Sequence, residues 1–165
     1  HWDEQIGKLV AKLKEKGEYE NTLIIFTSDN GPTFNGGTDS PFFDSAKPFK
    51  SEYGWGKTSL REGGIRVPMI ACWTGKVKGG RTSNHVSAFW DVMPTLCEIA
   101  GVDTPETDGI SFLPELLGKE QTTHEFYTGS TRNRAEAKPC VWGNGKDIYQ
   151  IFSGEIPKCN CIIWI

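Results

Sequence analysis

The residues most suited to chemistry lie together in Asp29-Asn30-Gly31-Pro32, directly after a short apolar run from Thr22 to Ser28. A carboxylate beside an amide carbonyl offers hard oxygen donors, which suit Ca2+ or Mg2+ better than a soft metal. Two such residues fall short of the six to eight oxygens that Ca2+ takes, so a cation held by Asp29 and Asn30 must draw its other ligands from elsewhere. Asn-Gly and Gly-Pro are also ordinary turn dipeptides, and the local pattern alone favours a turn. Gly56-Lys57-Thr58 has the ending of a phosphate-binding loop, but that motif needs a glycine where Ser51 stands. Lys57 can still hold an anionic oxygen as a point charge through its three donors. Taken alone, it reads as a surface lysine in a loop.

Other searches return little. The chain contains neither a Gly-x-Ser-x-Gly elbow nor a His-Glu-x-x-His pair. Its three histidines stand at positions 1, 85 and 124, far apart in sequence, and His85 reads as structural. Asp91 reads as the cap of a following helix. Glu62-Gly63-Gly64 reads as a turn in which the glycines supply positive φ. Of the five cysteines none forms a Cys-x-x-Cys pair, and the Cys159-x-Cys161 pair near the end makes neither a zinc ribbon nor a disulfide framework.

The elements that would position these residues are legible in outline. Ile6, Leu9, Val10 and Leu13 recur at helical spacing, which predicts an amphipathic helix from about Asp3 to Lys16, stopped by Gly17. The run from Thr22 to Ser28 is too short for a second helix and reads as a strand covered on both faces. Helix followed by buried strand is half of a βαβ unit and predicts a parallel sheet. Residues 29–57 form a long loop without period, of a length that is usually functional or disordered. Ile65 to Trp73 reads as a second strand, with Pro68 marking an edge or a bulge. A helix is expected from Asp91 to Ala100, ended by Gly101, and a short one between Ser111 and Leu117, closed by Gly118. Residues 130–147 read as polar loop, and the apolar tail from Cys161 to Ile165 has no clear type.

Composition sets the frame. The chain has 165 residues, 37% of them apolar, with 19 Gly and 9 Pro, as befits a loop-rich globular domain or a part of one. No apolar run nears the roughly 18 residues of a membrane span. A net charge of −3 argues against a general nucleic-acid binder. Charge is unevenly spread, however. Between Pro41 and Arg81 stand Lys47, Lys50, Lys57, Arg61, Arg66, Lys76, Lys78 and Arg81 against only Asp44, Glu52 and Glu62. Such a cationic segment in an acidic chain points to an anionic ligand, or to a solvated basic face. His1 is not an initiator Met and no signal pattern follows it, so the expectation is a removed leader or a start within something larger.

Taken in order, the helix, then NTLIIFTSDNGP, the glycine-rich loop, GKTSLREGGIRVPMIACW, FWDVMPTLCEIAG and DGISFLPELLG resemble the second half of the catalytic domain of the type I, formylglycine-dependent sulfatases. The likeness runs from about Asp3 to Lys119. It implies an α/β fold, part of an alkaline-phosphatase-like sandwich with a mixed, mostly parallel sheet and helices on both faces. Residues 1–119 would then be the C-terminal half of the catalytic domain, and 120–165 a divergent or truncated tail. The resemblance further implies hydrolysis of sulfate esters by a formylglycine nucleophile, with Ca2+ (or Mg2+) on the sulfate oxygens. The family's metal-binding Asp-Asn pair falls on Asp29 and Asn30, and its sulfate-binding lysine on Lys57. None of Cys72, Cys97, Cys140, Cys159 and Cys161 lies in the maturation motif Cys-x-Pro-x-Arg, so the nucleophile is expected upstream of this chain. The expected partner is a sulfated small molecule or sulfated glycan. The expected location is periplasmic, extracellular or lysosomal. The alternatives are a phosphoesterase of the alkaline-phosphatase superfamily and a non-catalytic module that binds sulfated glycans through the basic loop.

Overall fold

The computed structural model describes residues 1–34, 37–50, 55–130, 139–143 and 161–164. Helix α1 (Trp2–Glu15) follows the apolar spacing seen in the sequence, with Asp3 and Glu4 in its first turn and Lys12 and Lys14 in its last, as the helix dipole favours. Gly17 ends it at φ 71°, and the Glu18 amide returns to the Leu13 carbonyl at 2.9 Å, the closing bond of a Schellman motif. A 3-10 turn at Tyr19–Asn21 leads into β1 (Ile24–Thr27). Beyond it come two one-turn helices, α2 (Ser40–Phe43) and α3 (Glu62–Ile65), then β2 (Met69–Cys72) and β3 (Arg81–Ser83). Helix α4 (Val92–Ala100) ends at Gly101 with φ 67°, and α5 (Leu113–Leu116) is followed by Gly118 at φ 69°. Strands β4 (Phe126–Ser130), β5 (Pro139–Gly143) and β6 (Cys161–Trp164) complete the described elements.

The α/β class holds, but the pairing differs from the mostly parallel sheet expected. The main sheet runs β1-β2-β6-β3. β1 pairs antiparallel with β2 and β2 antiparallel with β6; only β3 and β6 run parallel. β4 and β5 form a separate antiparallel pair. The reason lies in the β1–β2 connection. A parallel neighbour requires a crossover, usually a full helix, that carries the chain back along the sheet. Among the described residues the connection holds only the single turns α2 and α3, and the chain re-enters the sheet at the end where it left.

Three local expectations also change. β1 lies at the end of the sheet order, and Phe26 is 47% exposed, so among the described residues the strand is not covered on both faces. Pro68 marks neither an edge nor a bulge. It stands one residue before β2, where its missing N–H costs no ladder bond, and its carbonyl accepts from Thr27 Oγ1 at 3.0 Å. Within the stretch read as polar loop, residues 139–143 form β5, and most of the apolar tail forms β6, an interior strand between β2 and β3. Four-residue strands carry too little periodicity to be told from loop.

The core lies where the sheet meets α4 and α5. Ala71, Val77, Phe112 and Leu116 are buried, with Leu23, Ile25, Met69, Trp73, Val92 and Leu113 packed around them. Helix α1 buries none of its residues, and Leu9 stands 55% exposed. No helix among the described residues is long and apolar enough to cross a membrane.

Candidate functional site

The site is built from backbone before side chains. Where β1 ends, Asp29-Asn30-Gly31-Pro32 turns away from the sheet, and the loop carrying Lys57 docks onto that turn. The Lys57 amide donates to the Pro32 carbonyl at 2.8 Å, and the Gly31 amide donates to the Gly64 carbonyl at 2.8 Å. These two bonds join segments more than twenty residues apart and tie the Lys57 backbone to the turn that carries Asp29 and Asn30.

Glycine makes that approach possible. A Cβ on Gly31 would stand 1.8 Å from the Gly63 carbonyl oxygen, and one on Gly63 would stand 1.9 Å from the Lys50 carbonyl oxygen. One on Gly64 would meet the carbonyl oxygens of Gly56 and Ser59, each at 2.4 Å. Glu62-Gly63-Gly64 is therefore not the positive-φ turn expected from its sequence: it lies in α3, and its glycines serve close backbone contact. The side chains that converge here are few. Asn30 Nδ2 donates to the Gly31 carbonyl at 2.8 Å, which orients the amide and leaves Oδ1 as an acceptor. The Asp29 carboxylate and the Lys57 ammonium are exposed and engage no partner among the described residues.

Beside Lys57, Thr58 adopts φ 73°. A β-branched residue in the left-handed region stores roughly 1 kcal/mol or more. Thr58→Gly is therefore expected to raise stability by about 1 kcal/mol in urea denaturation. No gain would show that the hydroxyl's local bonds offset the strain.

The donor chemistry fits a hard cation in part. Asp29 and Asn30 carry two oxygen donors of the kind such a cation takes, and no group of three His, Cys, Asp or Glu side chains converges among the described residues. A Ca2+ held here would need its remaining oxygens from water, substrate or further polypeptide.

A second polar centre was not legible as such. Asp91, 1% exposed, does not cap α4 with its side chain. Its carboxylate accepts instead from the Ala88 amide at 2.7 Å, the Ile110 amide at 2.9 Å and His124 Nε2 at 2.8 Å. Thr95 Oγ1 donates to the Asp91 carbonyl at 2.7 Å and accepts from the Phe112 amide at 3.0 Å. This network fastens α4 and α5 together and belongs to the scaffold. The sequence signal was an acid before an apolar helix, which cannot separate a cap from an anchor.

His85 borders this centre. Burial pushes its imidazole below the ordinary value of 6.5; the carboxylates of Glu115 and Asp91 oppose that shift, and His124 adds to it. The unfolded chain then binds more protons than the folded one as pH falls below about 6.5. The stability that neutral His85 confers is complete above that pH and lost as pH falls through the depressed folded value. Thermal midpoints measured from pH 7.5 down to 5.5 should fall, and less steeply in His85→Asn. Identical slopes would remove His85 from the explanation.

Comparison with known proteins decides the family. The family model described as Sulfatase matches residues 1–102, a stretch that contains Asp29, Asn30, Lys57 and the glycines between which they dock. The chain belongs to the sulfatase family. N-acetylgalactosamine-6-sulfatase of Canis lupus familiaris is 33% identical over 139 residues, covering 78% of this chain and 24% of that protein. An uncharacterized sulfatase of Escherichia coli is 34% identical over 122 residues, covering 72% of this chain and 20% of that one. A solved structure from work on the metabolism of multiple glycosaminoglycans by Bacteroides thetaiotaomicron superimposes with a TM-score of 0.66 at 28% identity, over 87% of this chain and 30% of its own. This sulfatase chain thus spans about a quarter of the length of the curated relatives it matches.

Proposed function

We propose that this chain is the part of a sulfuric ester hydrolase that grips the sulfate group, with Asp29 and Asn30 as ligands of a Ca2+ (or Mg2+) and Lys57 as the cation on the sulfate oxygens. The observation that carries this is the docking of the Lys57 loop on the strand-end turn through the Lys57–Pro32 and Gly31–Gly64 bonds. It ties the backbone that carries the ammonium to the turn that carries the carboxylate and the amide, and the ammonium has no carboxylate partner among the described residues.

The chemistry follows from charge. Attack on a sulfate ester moves negative charge onto the sulfuryl oxygens and the leaving oxygen. A bound divalent cation supplies Lewis-acid stabilisation of those oxygens. Asp29 and Asn30 would hold it just beyond the end of β1. Lys57 would donate charge-assisted hydrogen bonds to the same anion, its backbone held by Pro32 and its flexible side chain ordered on binding.

The nucleophile, a formylglycine in this reading, comes from polypeptide other than these 165 residues, none of whose five cysteines lies in Cys-x-Pro-x-Arg. Residues 1–119 are the catalytic-domain part and 120–165 a divergent end. The substrate class is a sulfated small molecule or glycan, as the names of the relatives suggest, and the setting is exported or lysosomal.

Two results test this reading. The 165-residue chain supplied with Ca2+ should bind an aryl sulfate, and Lys57→Gln should weaken that binding by about tenfold or more, the worth of one lost charge-assisted bond. Unchanged affinity in Lys57→Gln would sink the assignment. The chain alone should not turn over the aryl sulfate; turnover would refute an external nucleophile.

A further inference from the structure

A second cationic centre lies a short step along the same loop. Lys50, Trp55, Leu60, Arg61, Glu62 and Gly63, with Phe49, line an open cavity of about 450 Å³, a size that suits a sugar unit. Two cations are stacked on one indole there: the Arg61 guanidinium carbon lies 3.7 Å from the Trp55 ring centroid and Lys50 Nζ 5.2 Å from it. The one acid among the described lining residues, Glu62, is paired with Arg66 Nη1 at 3.1 Å. Arg66 in turn lies 4.8 Å over the Phe49 ring. Among the described lining residues two cations therefore stand against one carboxylate, and both cations lie over an aromatic face. Because Lys50 and Arg61 occupy the Trp55 ring, the indole serves to position the cations rather than to stack a sugar.

We propose that this pocket is a second anion subsite, which takes a carboxylate or sulfate on the sugar next to the one whose ester reaches Lys57, so that the substrate is a glycan with more than one anionic group. The proposal rests on the reading of Lys57 given above. Spacing supports it. Trp55, which carries both cations, and Lys57 are two residues apart, so their Cα atoms lie within about 7 Å and the two cationic centres share one loop. Gly63 packs under the backbone of both Lys50 and Trp55, its added Cβ falling 1.9 Å from one carbonyl oxygen and 2.9 Å from the other. The subsite and the Lys57 loop are therefore held by one close-packed contact. Trp55 is a positioning residue; Lys50 and Arg61 touch the ligand.

The test uses the 165-residue chain with Ca2+ and a disaccharide carrying one sulfate and one carboxylate, compared with the same disaccharide as its carboxyl methyl ester. Wild type should bind the free acid about tenfold more tightly than the methyl ester. The double substitution Lys50→Gln/Arg61→Gln, at two exposed side chains, should erase that difference and leave methyl ester binding unchanged. Trp55→Leu should reduce the preference while keeping both charges. Equal binding of the two ligands by wild type, or an equal loss of both in the double variant, overturns the proposal. Failure at Lys57 is read separately. In Lys57→Gln, inorganic sulfate should still shift the Trp55 indole N–H resonance. An indole resonance that sulfate does not move in wild type overturns the subsite, whatever Lys57 does.

Discussion

Gly63→Ala should unseat the Lys57 loop and cost about 3 kcal/mol or more of stability. The added methyl would sit 1.9 Å from the Lys50 carbonyl oxygen and 2.9 Å from that of Trp55. Both neighbours are backbone, so no rotamer change can relieve the clash. The segments at Lys50 and Trp55 must move apart from α3, and with them goes the surface against which Gly31 and Pro32 dock. Urea denaturation should show the loss, and aryl sulfate affinity should fall with it. Gly7→Ala is the matched control. A methyl there meets nothing within 4 Å, and in the interior of α1 alanine should add roughly 0.5–1 kcal/mol. If the two substitutions behaved alike, the close approach at Gly63 would not be what holds the loop.

Asp91→Ala should be about as damaging for a different reason. The carboxylate is 1% exposed and accepts from two backbone amides and from His124. Removing it leaves the amides of Ala88 and Ile110 without their acceptor, at roughly 1–3 kcal/mol for each buried donor left unpaired. A total of about 3–5 kcal/mol would match what breaking a buried charged contact costs elsewhere. Asp91→Asn keeps one acceptor oxygen and should cost clearly less. Denaturation midpoints rank the two variants. A loss below about 1 kcal/mol in Asp91→Ala would mean that water or a local shift replaces the carboxylate.

What the sequence revealed and what it concealed divide along physical lines. Helices α1 and α4 were legible because their apolar residues recur at 3.6-residue spacing and each stops at a glycine with positive φ, Gly17 or Gly101. The turn after β1 was legible from Asn-Gly-Pro. Strand direction was not, because a short apolar run looks the same in either orientation, and it is the antiparallel register of Ile24–Thr27 with Met69–Cys72 that fixes it. The roles of Gly63 and Gly64 were hidden for a related reason. A glycine reports that something forbids a side chain, but whether it is φ or a neighbouring carbonyl depends on residues such as Lys50 and Ser59 that dock from other segments. Asp91 reads as a cap until Ile110 and His124 arrive from the far side of α4. Asp29, Asn30 and Lys57 stood out by residue type. The hydrogen bonds through Pro32 and Gly31 that join their two backbone segments leave no mark on composition.

The central claim is that Asp29, Asn30 and Lys57 serve a single bound anion through a shared cation. The most direct measurement is the thermodynamic coupling between Ca2+ and an aryl sulfate on this chain, since two ligands that meet at one site must alter each other's affinity by the same factor. Saturating aryl sulfate should tighten Ca2+ binding about fivefold or more, with Asp29→Asn abolishing the Ca2+ step and Lys57→Gln reducing the coupling. Ca2+ binding that is indifferent to the sulfate ester, or that survives Asp29→Asn at full strength, would contradict it.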